Sequence, residues 1–303
     1  MTQSHISGIT AVVVTYQPAL EVLGQLLDAL VPQVTSVVVV DNGSHSDLAA
    51  WNSARDTRAV ELLRLGENRG IAAAQNVGIQ WARNRGAGFV LLMDQDSIPA
   101  PDMVEKLVST ISEQTSPATA GPRYLDERQD NPPPFIRVRG LSLERCACST
   151  EESVVPVDYL ISSGCLIPMS VLDKVGGMRN DFFIDYVDIE WGLRARHHGF
   201  QSYGVCSAHM QHSLGDHPIK LFSKNIPLHS PLRHYYHFRN AVLLYKEPWV
   251  PLNWKLVDGW RLCLKYVFYS LFAKPRMAHW RMMTLGVWHG WVGKAGKLEG
   301  GAS

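Results

Sequence analysis

Two acidic clusters could do chemistry in this chain of 303 residues. Asp94 and Asp96 stand one residue apart in LLMDQDS, directly after the apolar run FVLLM at 89–93. There the pleat of a strand and the turn that ends it can aim two hard oxygen ligands into one cleft, and such oxygens suit Mg2+ or Mn2+. The competing reading is a solvated turn in which Asp96 or Ser97 caps the next helix. The second cluster, Asp185, Asp188 and Glu190 in FFIDYVDIEWGLRAR, is set among Phe182, Phe183, Ile184, Tyr186 and Trp191. Partial burial raises a carboxylate's pKa and makes it a better proton acceptor. Acids that merely favour the positive end of a helix dipole are the simpler alternative.

Other polar constellations carry less. His209-x-x-His212 could pair as metal ligands, but the 12 histidines are scattered and no cysteine lies at zinc-site spacing. One histidine joining the two aspartates around a divalent ion remains compatible with the sequence. Asn68, Gly70 and Asn76 in NRGIAAAQNVGI mark a strand-to-helix junction whose exposed amides attract anions and whose small residues permit close approach. Tight packing of a helix on a sheet would explain the same residues.

These groups need a frame, and the pattern supplies one. The β-branched run at 9–15 and the helical spacing of 20–31 read as strand, then helix. The alternation repeats with VVVV at 37–40, a turn at Asp41-Asn42-Gly43-Ser44, a strand near 60–65, a helix near 70–84 and FVLLM. An α/β fold with a mainly parallel sheet covered by helices is predicted. Open sheets of this kind bind ligands beyond the carboxyl ends of their strands, so Thr15-Tyr16, Asp41-Asn42 and Asp94-Gln95-Asp96 are the places to inspect. No Gly-x-Gly-x-x-Gly follows the first strand, which argues against a dinucleotide dehydrogenase. Residues 112–157 read as loops with short strands around an acceptor side, 159–168 as a buried strand and turn, and 182–196 as helical toward its end.

Composition adds exclusions. Lys+Arg of 29 against Asp+Glu of 28 leaves +1, so no global basic field points to nucleic acid. Five cysteines, an odd number without a Cys-x-x-Cys pair, and the lack of a secretory h-region fit a reducing cytoplasm. No apolar stretch approaches the length of a membrane-spanning helix. The C-terminal part differs from the rest: residues 250–303 hold eight Lys/Arg against Asp258 and Glu299, and six of the nine tryptophans lie from Trp249 to Trp291. Trp254, Val257, Trp260, Leu264, Val267 and Leu271 recur at helical spacing, as a stripe that packs on the body or lies on a membrane surface. A body at 1–248 is expected, divided at about residue 110 into ligand-binding and acceptor-side parts, with a helical basic aromatic segment at 249–303.

Taken in order, VVVTY, VVVVDNGS, NRGIAAAQNVGI, LLMDQDS, ISSGCLIP, FFIDYVDIEWGLRAR and HYYHFRN resemble the motif series of family 2 glycosyltransferases, most of all the bacterial dTDP-L-rhamnosyltransferases, over roughly residues 9–245. The resemblance implies a GT-A fold and inverting transfer of L-rhamnose from dTDP-L-rhamnose to a hydroxyl of a surface glycan such as a lipopolysaccharide core or O-chain. A glycolipid acceptor, as in rhamnolipid synthesis, or another nucleotide sugar is the alternative. Carried over by position, Thr15, Tyr16 and Asp41 would hold the nucleoside base, with Asp41 accepting from the pyrimidine N3–H, and Arg69 and Asn76 would line the nucleotide side. In Asp94-Gln95-Asp96, Asp96 would contact the Mg2+ or Mn2+ and Asp94 the ribose or sugar. Asp188 matches the catalytic base. Val187 replaces the acid that commonly precedes it, leaving Asp185 or Glu190 as auxiliary carboxylates. His212 would complete the metal site, with His209 as the substitute.

Overall fold

Unbroken apolar runs, rather than alternating ones, belong to strands covered on both faces, and ITAVVVT is such a run. It forms β1 (Ile9–Thr15), buried along its whole length. The computed structural model describes residues 8–54, 60–125, 135–212, 219–221, 224–226 and 229–299. After β1 follow α1 (Leu20–Leu30), β2 (Ser36–Asp41), α2 (Leu48–Ala54), β3 (Val60–Arg64), α3 (Ile71–Asn84), β4 (Phe89–Asp94), β5 (Ser97–Pro99) and α4 (Met103–Glu113). Strands β3, β2, β1 and β4 lie side by side in that order, all parallel, as the alternation predicts.

The second half of the sheet departs from that pattern. It comprises β6 (Pro117–Leu125), β7 (Phe135–Arg139), β8 (Ser142–Cys146), β9 (Val154–Val157), β10 (Cys165–Pro168), α5 (Met169–Val175), α6 (Val187–His197) and β11 (Gln201–His212). The sheet continues β4-β10-β6-β11-β5, with β9 also on β11. β10 is antiparallel to β4 and β6, and β11 is parallel to β6 but antiparallel to β5 and β9. The expectation of a mainly parallel sheet therefore holds for the N-terminal half, and the whole is mixed. Two hairpins stand apart: β7 with β8, and β12 (Ile219–Leu221) with β13 (Lys224–Ile226).

Side chains of β1 alternate between two cores. Ala11 and Val13 point with Val37, Val39, Leu91 and Met93 toward α1 and α4, meeting Leu23, Leu27, Met103 and Leu107. Val12 and Val14 point the other way with Val38, Val40 and Leu92, toward α3 and α6. Helix α3 sits so close on β1 that a Cβ at Gly78 would come within 2.2 Å of Val12 Cγ1. That explains the glycine at position 78, since a side chain there would lift the helix off the sheet.

Three helices close the chain: α7 (Pro231–Tyr245), α8 (Leu252–Phe272) and α9 (Arg276–Val292). α9 runs against α7 nearly backbone to backbone, and a Cβ on Gly286 would lie 2.4 Å from the Tyr235 carbonyl oxygen. The stripe expected on α8 straddles two faces: Trp254 and Val257 are buried, while Trp260, Leu264, Val267 and Leu271 are exposed. Among the described residues no helix is long and apolar enough to cross a membrane. The cysteine expectation needs one correction. Cys148 and Cys206 form a disulfide with Cα atoms 5.7 Å apart, across 58 residues of sequence. Pairing of β9 with β11 brings them together, and no local spacing could reveal it.

Candidate active site

The parallel strands end level with one another. Val14 is opposite Asp94, Thr15 opposite Asp41, and Asp41 opposite Arg64. Thr15, Asp41 and Asp94 thus emerge together at the carboxyl edge, where a doubly covered sheet leaves a crevice. Thr15 is fully buried, and its hydroxyl has no hydrogen-bond partner among the described residues. Asp41, also buried, accepts from the Ser44 amide at 2.9 Å, with Arg64 at 3.7 Å. One accepted hydrogen bond and an ion pair leave lone pairs on a carboxylate that has about four acceptor positions. The 41–44 turn presses against 67–68, where a Cβ on Gly43 would stand 2.5 Å from the Glu67 carbonyl carbon. Asn42 secures the approach by accepting from the Arg69 amide at 2.9 Å and donating to Asn68 Oδ1 at 3.1 Å. The Arg69 guanidinium is left half-exposed, 3.6 Å from Glu67.

Gln95 ties the first strand end to the acidic turn. Its amide accepts from Tyr16 N at 2.7 Å and donates to Tyr16 O at 3.2 Å, which leaves the phenol ring at the surface. Asp94 closes β4, and its amide donates to Ser163 Oγ at 3.0 Å. That hydroxyl in turn donates to Ser97 Oγ at 2.7 Å. Asp96 occupies the turn between β4 and β5. Because β5 pairs with β11, the backbone of His212 lies opposite Ser97, next to Asp96. The His212 side chain lies outside the described residues. His209, the substitute, is directed to Glu151 at 3.2 Å.

No group of three or more His, Cys, Asp or Glu able to enclose a metal ion occurs among the described residues. A hard divalent ion needs no such cage. Mg2+ commonly binds through one or two carboxylates and the substrate's phosphates, retaining waters. Two carboxylates at a strand end, open to the crevice, fit that chemistry.

Asp188 is the second residue of α6, and a chain of unusual backbone places it there. Phe183, Asp185 and Tyr186 have φ of 65°, 64° and 64°. Non-glycine residues are held in that region only when their surroundings over-determine them. Here the surroundings are Arg239 and Asn240 of HYYHFRN, both fully buried. Asn240 Nδ2 donates to the carbonyls of Phe182, Ile184 and Asp185, each at 2.8 Å, and Arg239 donates to Asp181 and Phe182 at 3.1 and 3.0 Å. The Phe183 carbonyl accepts from Ile71 N at 2.7 Å, docking the start of α3 on this loop. A Cβ on Gly70 would lie 2.5 Å from that oxygen, which is why a glycine precedes α3. On its other side the loop is latched to α8, where Asp258 accepts from Tyr186 and Tyr245 hydroxyls at 2.8 and 2.6 Å.

Asp188 Oδ1 accepts from the Ile189 amide at 2.9 Å. Burial, reinforced by the carboxylates of Asp185 and Asp94, lifts its pKa from 3.8 to about 6. Asp94 makes the smallest of these contributions, and its presence among them puts Asp188 within electrostatic reach of the strand-end acids. Cys165, one residue beyond the 161–164 turn, lies in the field of both: its thiol is pushed up to about 12, chiefly by burial, with Asp188 and Asp94 adding to it. A carboxylate poised near 6 and partly exposed is mostly ionised at neutral pH and has the basicity a proton acceptor needs.

Two expected site residues have other tasks. Glu190 is buried, with both oxygens occupied by Arg194 at 2.8 and 2.9 Å, and Arg194 also donates to the carbonyl of Gly177 at 2.8 Å. It fastens α6 to the turn after α5 and offers nothing to an acceptor. The Asn76 amide is likewise spent, donating to Met178 O at 2.7 Å and Asn180 Oδ1 at 2.6 Å and accepting from Met178 N at 2.7 Å. Asp185 does face the Asp188 region, held by Arg233 at 3.3 Å. Arg233, Asn240, Ser163 and Asp258 are the positioning residues that spacing missed. Two motifs gave a signal: HYYHFRN marks Arg233's helix and Asn240, and ISSGCLIP contains Ser163.

Residues 10–159 match the family described as Glycosyl transferase family 2. The chain is 37% identical to the dTDP-rhamnosyl transferase RfbF of Shigella flexneri over 247 residues, 81% of this chain and 82% of that protein. Among solved structures, that of S. aureus TarS 1-349 in complex with UDP-GlcNAc is similar with a TM-score of 0.58 at 16% identity, over 95% of this chain and 88% of the other. The mannosyltransferase PcManGT from Pyrobaculum calidifontis, in complex with GDP-Man and Mn2+, is similar with a TM-score of 0.56 at 14% identity, over 96% and 88%. Identities this low establish likeness of fold alone.

Proposed function

The chain belongs to the family 2 glycosyltransferases and has their GT-A fold, and from that premise we propose that it transfers L-rhamnose from dTDP-L-rhamnose, with inversion, to a hydroxyl of a bacterial surface glycan such as a lipopolysaccharide core or O-chain. The observation that supports the mechanism is geometric: Asp188 lines one cavity together with Leu92 of β4, the strand that ends in Asp94. It sets a proton acceptor against the carboxyl end of the nucleotide half. The donor assignment draws support from the 37% identity to a dTDP-rhamnosyl transferase.

In this reading Asp188 takes the proton of the acceptor hydroxyl while that oxygen attacks the anomeric carbon. The bond from that carbon to the diphosphate oxygen breaks, and dTDP leaves with the electron pair. One in-line displacement inverts the centre, and base catalysis of this kind contributes about 10²–10⁴-fold. Asp185, fixed by Arg233, keeps Asp188 basic through its charge. Asp41 accepts from the pyrimidine N3–H, Thr15 and Tyr16 border the base, and Arg69 reaches the phosphates. Asp94 adjoins the ribose or sugar. Asp96 would hold Mg2+ or Mn2+, with His212 beside it. When bound, the ion supplies neutralising charge for the departing diphosphate.

The same reading places the enzyme in the cytoplasm, in peripheral contact with a membrane that carries the acceptor. A thermal-shift panel of nucleotide sugars with Mg2+ or EDTA tests the donor, because a ligand that binds the native state raises its stability with occupancy. Selective stabilisation by dTDP-rhamnose is expected, and preference for a UDP-hexose would overturn the assignment.

A further inference from the structure

Thirteen of the fifteen large apolar side chains that stand exposed among the described residues lie on α8 and α9. On α8 they are Leu252, Leu256, Trp260, Leu264, Val267 and Leu271, with Phe272 at its end. Steps of three and four put the six on one face. Trp254, Val257, Leu262 and Tyr269 on the other side are buried against the body. α9 repeats the arrangement: Trp280, Trp288 and Trp291 are exposed, while His279, Met283, Gly286 and Gly290 are buried. Trp280 and Trp288 also line a surface groove of about 580 Å³ together with Arg281.

Charge decides what this surface meets. From residue 250 to residue 298 the chain has eight Lys/Arg, and its only acid is Asp258. Asp258 is engaged by two tyrosine hydroxyls on the inner side of α8. The outer faces therefore present indoles, aliphatic side chains and cations, Lys274, Arg276 and Arg281 being exposed. A second copy of the chain, docked face to face, would set these cations against one another. Anionic headgroups complement them, and tryptophan is the residue that favours the headgroup zone.

We propose that the exposed faces of α8 and α9 form a docking surface for an anionic lipid bilayer. This deepens the peripheral contact proposed above by naming the side chains that make it. Location supports it as well: Asp258, which latches the loop preceding Asp188, sits on the side of α8 opposite the apolar stripe. A helix with its side chains is about 10–12 Å across, so a bilayer on the outer face lies close to the catalytic loop.

Flotation of the full chain on vesicles tests the proposal. Vesicles of phosphatidylcholine alone are compared with vesicles that also contain phosphatidylglycerol. The wild type should float with the anionic vesicles at least about tenfold more than with neutral ones, an effect that salt reduces. Trp260→Ser, Leu264→Ser and Trp288→Ser combined should abolish flotation, and Arg276→Glu with Arg281→Glu should remove the preference for anionic lipid. Both variants should keep the wild-type melting temperature and the stabilisation by nucleotide sugar, since these side chains are exposed and none of them is among the residues assigned to the site. That readout separates failure here from failure of the donor assignment. A wild type that does not float, a serine variant that floats equally, or a wild-type dimer that the serine variant dissociates would each overturn the proposal.

Discussion

Replacing Asp188 by asparagine separates the charge of the proposed base from its structural contact. The carboxylate accepts from the Ile189 amide at 2.9 Å and from its own backbone amide, and an asparagine carbonyl can accept in the same way. What disappears is the ionisation. Burial, with Asp185 and Asp94 adding to it, lifts the group from 3.8 to about 6. An acid whose pKa is higher in the folded chain holds its proton more tightly there. Its contribution to stability is therefore fully present below pH 3.8, and it is lost as pH rises to about 6. The loss corresponds to about 3 kcal/mol, and residual exposure of the side chain reduces it to roughly 1–3 kcal/mol. Asp188→Asn should then be more stable than the wild type at neutral pH by that amount, a rise of a few degrees in melting temperature. Its turnover should fall by about 10²–10⁴-fold, while nucleotide binding stays near normal. Thermal unfolding of both proteins in EDTA across the acid-to-neutral range, alongside transfer kinetics at saturating donor, reads all three effects. Turnover within a few-fold of the wild type, or stability curves that run parallel through the acid range, would refute the reasoning.

Three further outcomes follow from the site. Asp96→Ala should weaken dTDP binding about tenfold or more in the presence of Mg2+ or Mn2+ and leave binding in EDTA unchanged, and titration calorimetry with and without metal checks this; equal affinity at fixed metal would remove Asp96 from the metal role. Glu190→Gln should lower stability by about 1–3 kcal/mol through the weakened contact to Arg194, while the folded variant keeps kcat within a few-fold. A large loss of kcat at unchanged melting temperature would return Glu190 to the reaction. Asn240→Ala leaves the carbonyls of Phe182, Ile184 and Asp185 without their shared donor, which should cost about 1–3 kcal/mol and reduce kcat more than donor affinity; wild-type kcat in this variant would mean that the left-handed loop holds itself.

Much of the candidate site was legible because its first half is local. Thr15, Asp41 and Asp94 each follow an apolar run, and parallel strands of similar length end level, so position in the run predicts position at the edge. The residues whose side chains are engaged elsewhere share a different cause. Glu190 and Asn76 are polar residues near the expected cleft, and spacing cannot tell a side chain that faces a ligand from one satisfied by Arg194 or Met178. The second half of the sheet was illegible for a related reason. β10 is four residues long, and its antiparallel placement between β4 and β6 depends on contacts far away in sequence.

By itself, the amino-acid sequence determined the covered parallel half-sheet, the strand-end acids, and the presence of a basic aromatic helix. Those features come from periodicity and from residue type next to a run, which are properties of neighbours in the chain. Only the tertiary structure decided that Asn240 and Arg239 hold three residues in the left-handed region and that Asp188 thereby meets the field of Asp94. It alone decided that Cys148 reaches Cys206 and which side of α8 stays bare. Each of these depends on groups dozens of residues apart, whose proximity is set by packing and by the need to pair buried polar atoms rather than by any local preference of the backbone.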